Sequence, residues 1–238
     1  MKQSSKQGFF PLVPLFTGLT GLAVRSWLFS AEDKRGLLPA NHMGGILSYI
    51  LLALTLAACF VILRKIPRAE GYSHLFPASK AAAIGTGVGA IGMGISAFAL
   101  KSAGVLRLIL PVLGVFGACA LLFAAYCRHK GQRPSCFSHG ILTVFLIFQT
   151  LAGCRSWGAE SQLQRYFFPM LASLLVLIAS YYRAELDLDG KDCRKYAFFS
   201  QAALFCCCLC LPGENRLFYL SAGIWLASDF CVLPAGEE

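Results

Sequence analysis

The sequence predicts an all-α, polytopic transmembrane helical bundle of about eight spans, built as two tandem parallel four-helix repeats. Hydrophobic residues make up 57% of the chain, charged residues only 14%, and the mean hydropathy is +0.63. These values are typical of membrane proteins rather than soluble domains. The charged residues lie in short islands between apolar runs long enough to cross a bilayer. The tripeptide Arg-Ser-Trp occurs at 25–27 and again at 155–157, each time closing an apolar run.

Eight apolar runs follow one another along the chain, and each is expected to form one spanning helix. The prolines at 11 and 14 fall at the start of the first run, where proline is compatible with a helix. Polar islands rich in Lys and Arg separate most of the later runs. The predicted spans are 9–27, 43–63, 81–100, 105–126, 137–155, 166–182, 196–211 and 217–233.

The third span is rich in small residues. Ala81, Gly85, Gly89 and Ala97 fall largely on one helical face, which predicts close packing of another helix at Gly85 and Gly89. The glycines of 87–92 also match a dinucleotide-binding fingerprint. No strand precedes them, so packing is the better interpretation.

The loops repeat as well as the tripeptide. In each half a medium loop follows Arg-Ser-Trp, a long charged loop comes next, and a short glycine-containing turn joins the last two spans. We therefore expect a first repeat at 1–127, a basic linker at 128–136 and a second repeat at 137–238. An even number of spans in each makes the repeats parallel.

The basic residues predict the orientation. With a cytoplasmic N-terminus, thirteen of the 21 Lys and Arg residues fall on the cytoplasmic side and eight outside. The positive-inside rule then places both termini in the cytoplasm. The same bias explains the net charge of +9 better than nucleic-acid binding does.

Few polar residues within the spans could bind a solute. Arg25, Trp27, Arg155 and Trp157 could line an outward-facing vestibule, because guanidinium groups suit carboxylate or phosphate. Alternatively, the arginines only reach the interface and the tryptophans belong to an aromatic belt. Asp229, in the last span, could couple proton movement to transport or simply reach the headgroups.

The sequence predicts no catalytic residue, metal site or cofactor. It contains neither HExxH nor GxSxG, and its spans hold no paired acids. Of the eleven cysteines, Cys206, Cys207, Cys208 and Cys210 lie inside an apolar run, where Cys behaves as a small hydrophobe, and none forms a zinc-like cluster with His. The motif Asp187-x-Asp189-Gly190 lacks the distal glutamate of a calcium loop, so 183–195 is interpreted as a solvated charged loop.

The stretch from Arg155 to Tyr166, together with Gly-Leu-Leu-Pro at 36–39, resembles uncharacterised small multi-pass membrane proteins of clostridia-like bacteria. The resemblance covers most of the chain and implies a multi-pass protein of a bacterial cytoplasmic membrane. It implies no activity and assigns no functional residue.

Three functions remain open from the sequence. The first is a small transporter or permease-like protein with a solute site between the repeats. The second is a non-catalytic structural or accessory subunit, and the third is a membrane-embedded lipid-active enzyme. The expected partners are the bilayer, a small anionic solute, and a second copy or a partner membrane subunit. A wet, charged cavity between the repeats favours transport, whereas a dry, apolar interface favours the accessory role.

Overall fold

The computed structural model describes residues 12–33, 37–39, 42–64, 76, 78–99, 104–157, 162–189 and 193–230. These residues form eight α-helices and no strand, which confirms the predicted all-α class. The helices are α1 (Leu12–Ser30), α2 (Met43–Arg64), α3 (Lys80–Ala99), α4 (Leu106–His129), α5 (Cys136–Trp157), α6 (Leu163–Asp189), α7 (Arg194–Cys210) and α8 (Arg216–Phe230).

Five of these helices, α2 to α6, contain segments long and apolar enough to cross a membrane. The helices α7 and α8 have 17 and 15 residues. A helix rises about 1.5 Å per residue, so both are shorter than a hydrocarbon core of about 30 Å. The fold is therefore compatible with a multi-pass membrane protein, and eight crossings remain a prediction.

Helix α6 continues beyond the expected end of the sixth span. It extends to Asp189, so residues 183–189 are helical and do not belong to a solvated loop. Arg183 and Asp187 are also buried. The chain has no Gly or Pro to stop the helix between Pro169 and Gly190, which explains the extension. Residues 9–11 and 231–233, expected in the first and last spans, lie outside the described residues.

The six helices α3 to α8 close into a ring. Each packs against the next along the chain, and α8 returns to pack against α3. The hairpin of α1 and α2 lies outside this ring and packs against α7. Because α7 has neighbours on both sides, it is buried around most of its circumference.

Two glycines allow α3 and α8 to approach closely. A Cβ atom at Gly85 would lie 2.7 Å from the Cβ of Ser228. One at Gly89 would lie 2.8 Å from the carbonyl oxygen of Ser221 and from the Cβ of Trp225. The face predicted for helix packing therefore lies against α8 of the same chain.

Successive helices alternate in direction, which gives the bundle two ends. We call the end where α1, α3, α5 and α7 begin the proximal end, and the opposite one the distal end. The hairpins α1–α2 and α3–α4, assigned together to the repeat at 1–127, pack against different helices. The linker predicted at 128–136 begins inside α4, since that helix extends to His129. The repeat boundaries stay a prediction.

Candidate functional site

A pocket of about 310 Å³ opens at the distal end, between α1 of the outer hairpin and three helices of the ring. We call it the Arg25 pocket. Charged and aromatic side chains form much of its wall. The lining residues are Arg25, Phe29, Glu32, Arg165, Tyr166, Pro169, Cys210, Pro212, Gly213, Glu214, Asn215, Arg216 and Tyr219.

Arg25 is the buried cation of this pocket, with only 2% of its surface exposed. Its Nη2 donates a hydrogen bond to the carbonyl oxygen of Gln164 at 3.2 Å. The guanidinium carbon lies 4.6 Å from the ring centroid of Phe168 and 5.3 Å from that of Phe29. Its Nε has no hydrogen-bond partner, and no carboxylate among the described residues pairs with it. The pocket wall therefore carries a largely desolvated positive charge.

The loops at the distal end are tied together around this pocket. Arg165 donates from Nη1 to Oε1 of Glu32 at 3.2 Å, which joins α6 to the segment after α1. Gln162 accepts from the backbone nitrogen of Leu38 at 2.9 Å and donates to its carbonyl at 3.1 Å. Asn215 has a φ of 57°, a left-handed conformation that Asn adopts readily and that turns the chain into α8. These contacts give the pocket a defined rim.

The other predicted site residues do not line this pocket. Trp27 is 51% exposed and packs edge-to-face against His42, with ring centroids 4.6 Å apart. Arg155 is exposed near the end of α5. The side chain of Trp157 lies outside the described residues. The structure therefore does not bring Arg25 and Arg155 together in the pocket.

A second polar site lies at the proximal end and is closed. It centres on Asp229 in α8, which the sequence analysis identified only as a coupling candidate. Six buried residues from five helices form this charged cluster. They are Arg128, His139, Arg183, Asp187, Tyr196 and Asp229.

Asp229 accepts hydrogen bonds from two of these side chains and forms an ion pair with a third. Nη1 of Arg128 lies 3.1 Å from Oδ1, and Nη2 of the same residue donates to the Asp229 carbonyl at 3.3 Å. The hydroxyl of Tyr196 donates to Oδ2 at 2.5 Å. Nε of Arg183 lies 3.4 Å from that same oxygen. A buried carboxylate so surrounded is compensated by charge and by hydrogen bonds.

Arg183 links the two carboxylates of the cluster. Its Nη1 lies 3.9 Å from Oδ1 of Asp187, one turn further along α6. Its guanidinium carbon lies 3.5 Å from the ring centroid of Phe76, which also faces Arg128 at 4.9 Å. The aromatic ring thus contacts both cations without adding charge.

His139 completes the cluster. Its Nδ1 lies 2.5 Å from Oδ2 of Asp187, and its ring stacks on Trp225 with centroids 6.1 Å apart. The cluster thus contains two arginines and two aspartates, and the imidazole adds a further hydrogen-bonding partner to one of the carboxylates.

Three helices of the ring, α5, α7 and α8, also carry buried polar atoms outside the charged cluster. Both amide atoms of Gln201, Oε1 of Gln149 and Nε1 of Trp225 are buried without a hydrogen-bond partner among the described residues. Buried polar atoms are usually paired. These three residues are exceptions in a core that is otherwise largely hydrophobic.

Comparison with known proteins does not identify the chain. No protein-family model, curated protein or solved structure matches it. The candidate sites therefore have to be judged from their own geometry.

Sequence analysis missed most of the charged cluster because it placed 183–195 in solvent. One signal was present: Arg183 and Asp187 are four residues apart, with the apolar Leu186 between them, a spacing that puts the charged pair on one helical face. Arg128 and His139 carry no comparable signal, since their partners lie in distant helices. Among the described residues, no group of three His, Cys, Asp or Glu side chains is placed to hold a metal ion.

Proposed function

We propose that this protein is a small multi-pass membrane transporter that takes up an anionic solute at the Arg25 pocket. One observation carries the proposal: the guanidinium of Arg25 is buried, has no carboxylate partner among the described residues, and lies in the wall of an open pocket. A buried charge without a counter-ion is costly. An anion in the pocket would remove that cost.

The chemistry of the site limits the solute. A guanidinium group presents a planar fork of donors that matches carboxylate or phosphate oxygens. The volume of about 310 Å³ is at the lower end of the range for small-molecule sites. Glu32 is already engaged by Arg165, so it does not neutralise Arg25. A small carboxylate or phosphate compound is the solute class that this wall favours.

The location of the pocket supports transport over simple binding. Its wall joins α1, from the outer hairpin, to α6 and α8 of the ring. Helix α1 belongs to the predicted first repeat, whereas α6 and α8 belong to the predicted second repeat, so the pocket lies where the two repeats meet. Transporters place their solutes at such an interface, because relative movement of the two parts can change access.

We further propose that all eight helices cross the membrane and that the proximal end faces the cytoplasm. The exposed face of α8 is apolar, and α7 packs inside the bundle, where a short helix needs less contact with lipid. The membrane is the cytoplasmic membrane, on the resemblance to bacterial multi-pass proteins. Asp229 remains the candidate for coupling proton movement to transport, and His139 belongs to the same charged cluster.

The accessory and enzyme alternatives have weaker support. The accessory role was suggested by the glycine face of α3, and α8 already occupies that face. A lipid-active enzyme would need converging His and Asp side chains at an opening. His139 and Asp187 do converge, but both are buried.

Thermal unfolding of the purified protein in detergent tests the proposal. The probes are inorganic phosphate, sulfate, acetate, succinate and citrate, compared at equal ionic strength. We expect at least one of these anions to raise the unfolding temperature of the wild type. The Arg25→Gln variant should show no such rise. Arg155→Gln is the matched control, because it removes an exposed arginine from the second copy of the same tripeptide.

Uptake then separates transport from binding. The anion that stabilises the protein should enter proteoliposomes that contain the wild type, and Arg25→Lys should reduce uptake because a single ammonium lacks the fork. If no anion stabilises the protein, or if both Gln variants respond like the wild type, the Arg25 pocket is not an anion site. Stabilisation without uptake would favour a sensor over a transporter.

A further inference from the structure

A groove runs between α2 and α7 at the proximal end of the bundle. Its volume is about 400 Å³, and apolar atoms form most of its surface. We call it the α2–α7 groove. Its lining residues are Phe60, Leu63, Arg64, Arg194, Lys195, Phe198 and Phe199.

Along the groove, both helices carry basic residues near the end of the bundle and phenylalanines one turn deeper. Helix α2 carries Phe60 and then ends one turn later at Arg64. Helix α7 begins with Arg194 and Lys195 and carries Phe198 one turn further in. Because the two helices are antiparallel, the basic residues meet at the end of the bundle and the phenyl rings meet about 6 Å deeper.

Two basic residues of the rim, Arg64 and Lys195, are available to an anion. The guanidinium of Arg64 lies over the ring of Phe60 at 4.5 Å, and Nζ of Lys195 lies 5.4 Å from the ring of Tyr182. Both side chains are exposed, and no carboxylate among the described residues pairs with either. The chain continues from Arg64 as Lys-Ile-Pro-Arg, which adds further positive charge to the same stretch of sequence.

We propose that the α2–α7 groove binds an anionic phospholipid. The phosphate lies at Arg64 and Lys195, and one acyl chain lies along Phe60, Phe198 and Phe199. Basic pockets between transmembrane helices are suited to acidic headgroups, and an apolar groove beneath the rim suits the chain of the same molecule. A free phosphate lacks the acyl chain, and a zwitterionic phospholipid carries a quaternary ammonium group that a basic rim disfavours.

The position of the groove gives the lipid a structural effect. The outer hairpin packs mainly against α7, with further contacts to α6 through Arg25 and Tyr49, and α2 packs less extensively on α7 than α1 does. A lipid in the groove would extend the contact between α2 and α7. Binding therefore stabilises the attachment of the hairpin to the ring, independently of any solute in the Arg25 pocket.

The test is lipid binding to delipidated protein in detergent, followed by native mass spectrometry and by thermal unfolding. The probes are phosphatidylglycerol, phosphatidylcholine with the same acyl chains, and inorganic phosphate. We expect phosphatidylglycerol to bind about tenfold or more tightly than phosphatidylcholine and to raise the unfolding temperature. Inorganic phosphate at the same concentration should do neither.

Three variants locate the site. Arg64→Gln with Lys195→Gln should remove the preference for phosphatidylglycerol, whereas Arg107→Gln with Arg155→Gln, two exposed arginines at the distal end, should retain it. Phe198→Ala should weaken phosphatidylglycerol binding, and the variant should remain unresponsive to inorganic phosphate.

Three results would overturn the proposal. Equal binding of the two lipids would show that the rim does not recognise charge. An equal loss in the two double variants would show general attraction to a basic protein. Stabilisation by inorganic phosphate that the Arg64/Lys195 variant loses would make the groove a phosphate site instead.

Discussion

His139 in α5 and Asp187 in α6 meet at 2.5 Å in the interior, although 48 residues separate them in the chain. Neither side chain has more than 2% of its surface exposed. Arg183 faces the same carboxylate from within α6, and Asp229, Arg128 and Tyr196 surround them from α8, α4 and α7. The pair therefore belongs to a buried cluster whose members depend on one another for charge compensation.

Replacing Asp187 by Asn should destabilise the protein. The change leaves the buried Arg183 short of one counter-charge and weakens the contact with His139, so we expect a loss of about 3–5 kcal/mol in the free energy of unfolding. Unfolding in SDS, followed by circular dichroism, measures it. Asp189→Asn is the matched control on the same helix, since Asp189 is exposed. Similar losses in the two variants would show that the cluster contributes no special stability.

Replacing Gly89 by Ala should also destabilise the protein. The added Cβ would lie 2.8 Å from the backbone of α8, so the two helices must separate slightly, at a cost of about 1–3 kcal/mol. The control is Gly87→Ala on another face of α3, where the new Cβ would meet only Leu122 at 3.8 Å. This second change should leave stability equal or slightly higher, because Ala favours helix. Thermal unfolding in detergent compares them, and a stable Gly89→Ala protein would mean that α3 and α8 are not tightly packed there.

Labelling of introduced cysteines should show that the α7–α8 turn and the α4–α5 turn lie on opposite sides of the membrane, as expected if α5, α6 and α7 all cross it. Glu214→Cys lies in the exposed α7–α8 turn at the distal end, and Gln132→Cys lies in the exposed α4–α5 turn at the proximal end. With the proximal end cytoplasmic, a membrane-impermeant maleimide added to intact cells should label Cys at 214 and not at 132. The unmodified chain supplies the background from native cysteines. Labelling of both positions, or only of 132, would contradict the proposed topology.

Much of the helical architecture was predictable from local sequence. Each of the eight predicted spans corresponds to one helix, because apolar runs bounded by charged or glycine-containing segments define helices without reference to the rest of the chain. The predicted end of the sixth span was wrong, because the charged residues after it were interpreted as a loop. Charge alone does not stop a helix, and Arg183 and Asp187 stay helical once distant partners compensate them.

The candidate sites were only partly predictable. Arg25 was identified because it is a charged residue within an otherwise apolar run. The structure places it in the wall of a pocket. Its expected companion, Arg155, does not line that pocket. A repeated tripeptide shows that two segments are alike, but it contains no information about which helices pack around each copy.

The sequence by itself determined the class of this protein. Composition, the length of the apolar runs and the spacing of the charged islands are local properties, and they are sufficient to specify apolar helices suited to a bilayer. Only the tertiary structure decided that α8 closes a ring with α3, that α1 and α2 stay outside it, and that Arg128, His139 and Asp229 become neighbours. The physical reason is that burial and charge compensation depend on contacts between helices far apart in the chain, where no periodicity or spacing within one helix can specify the partner.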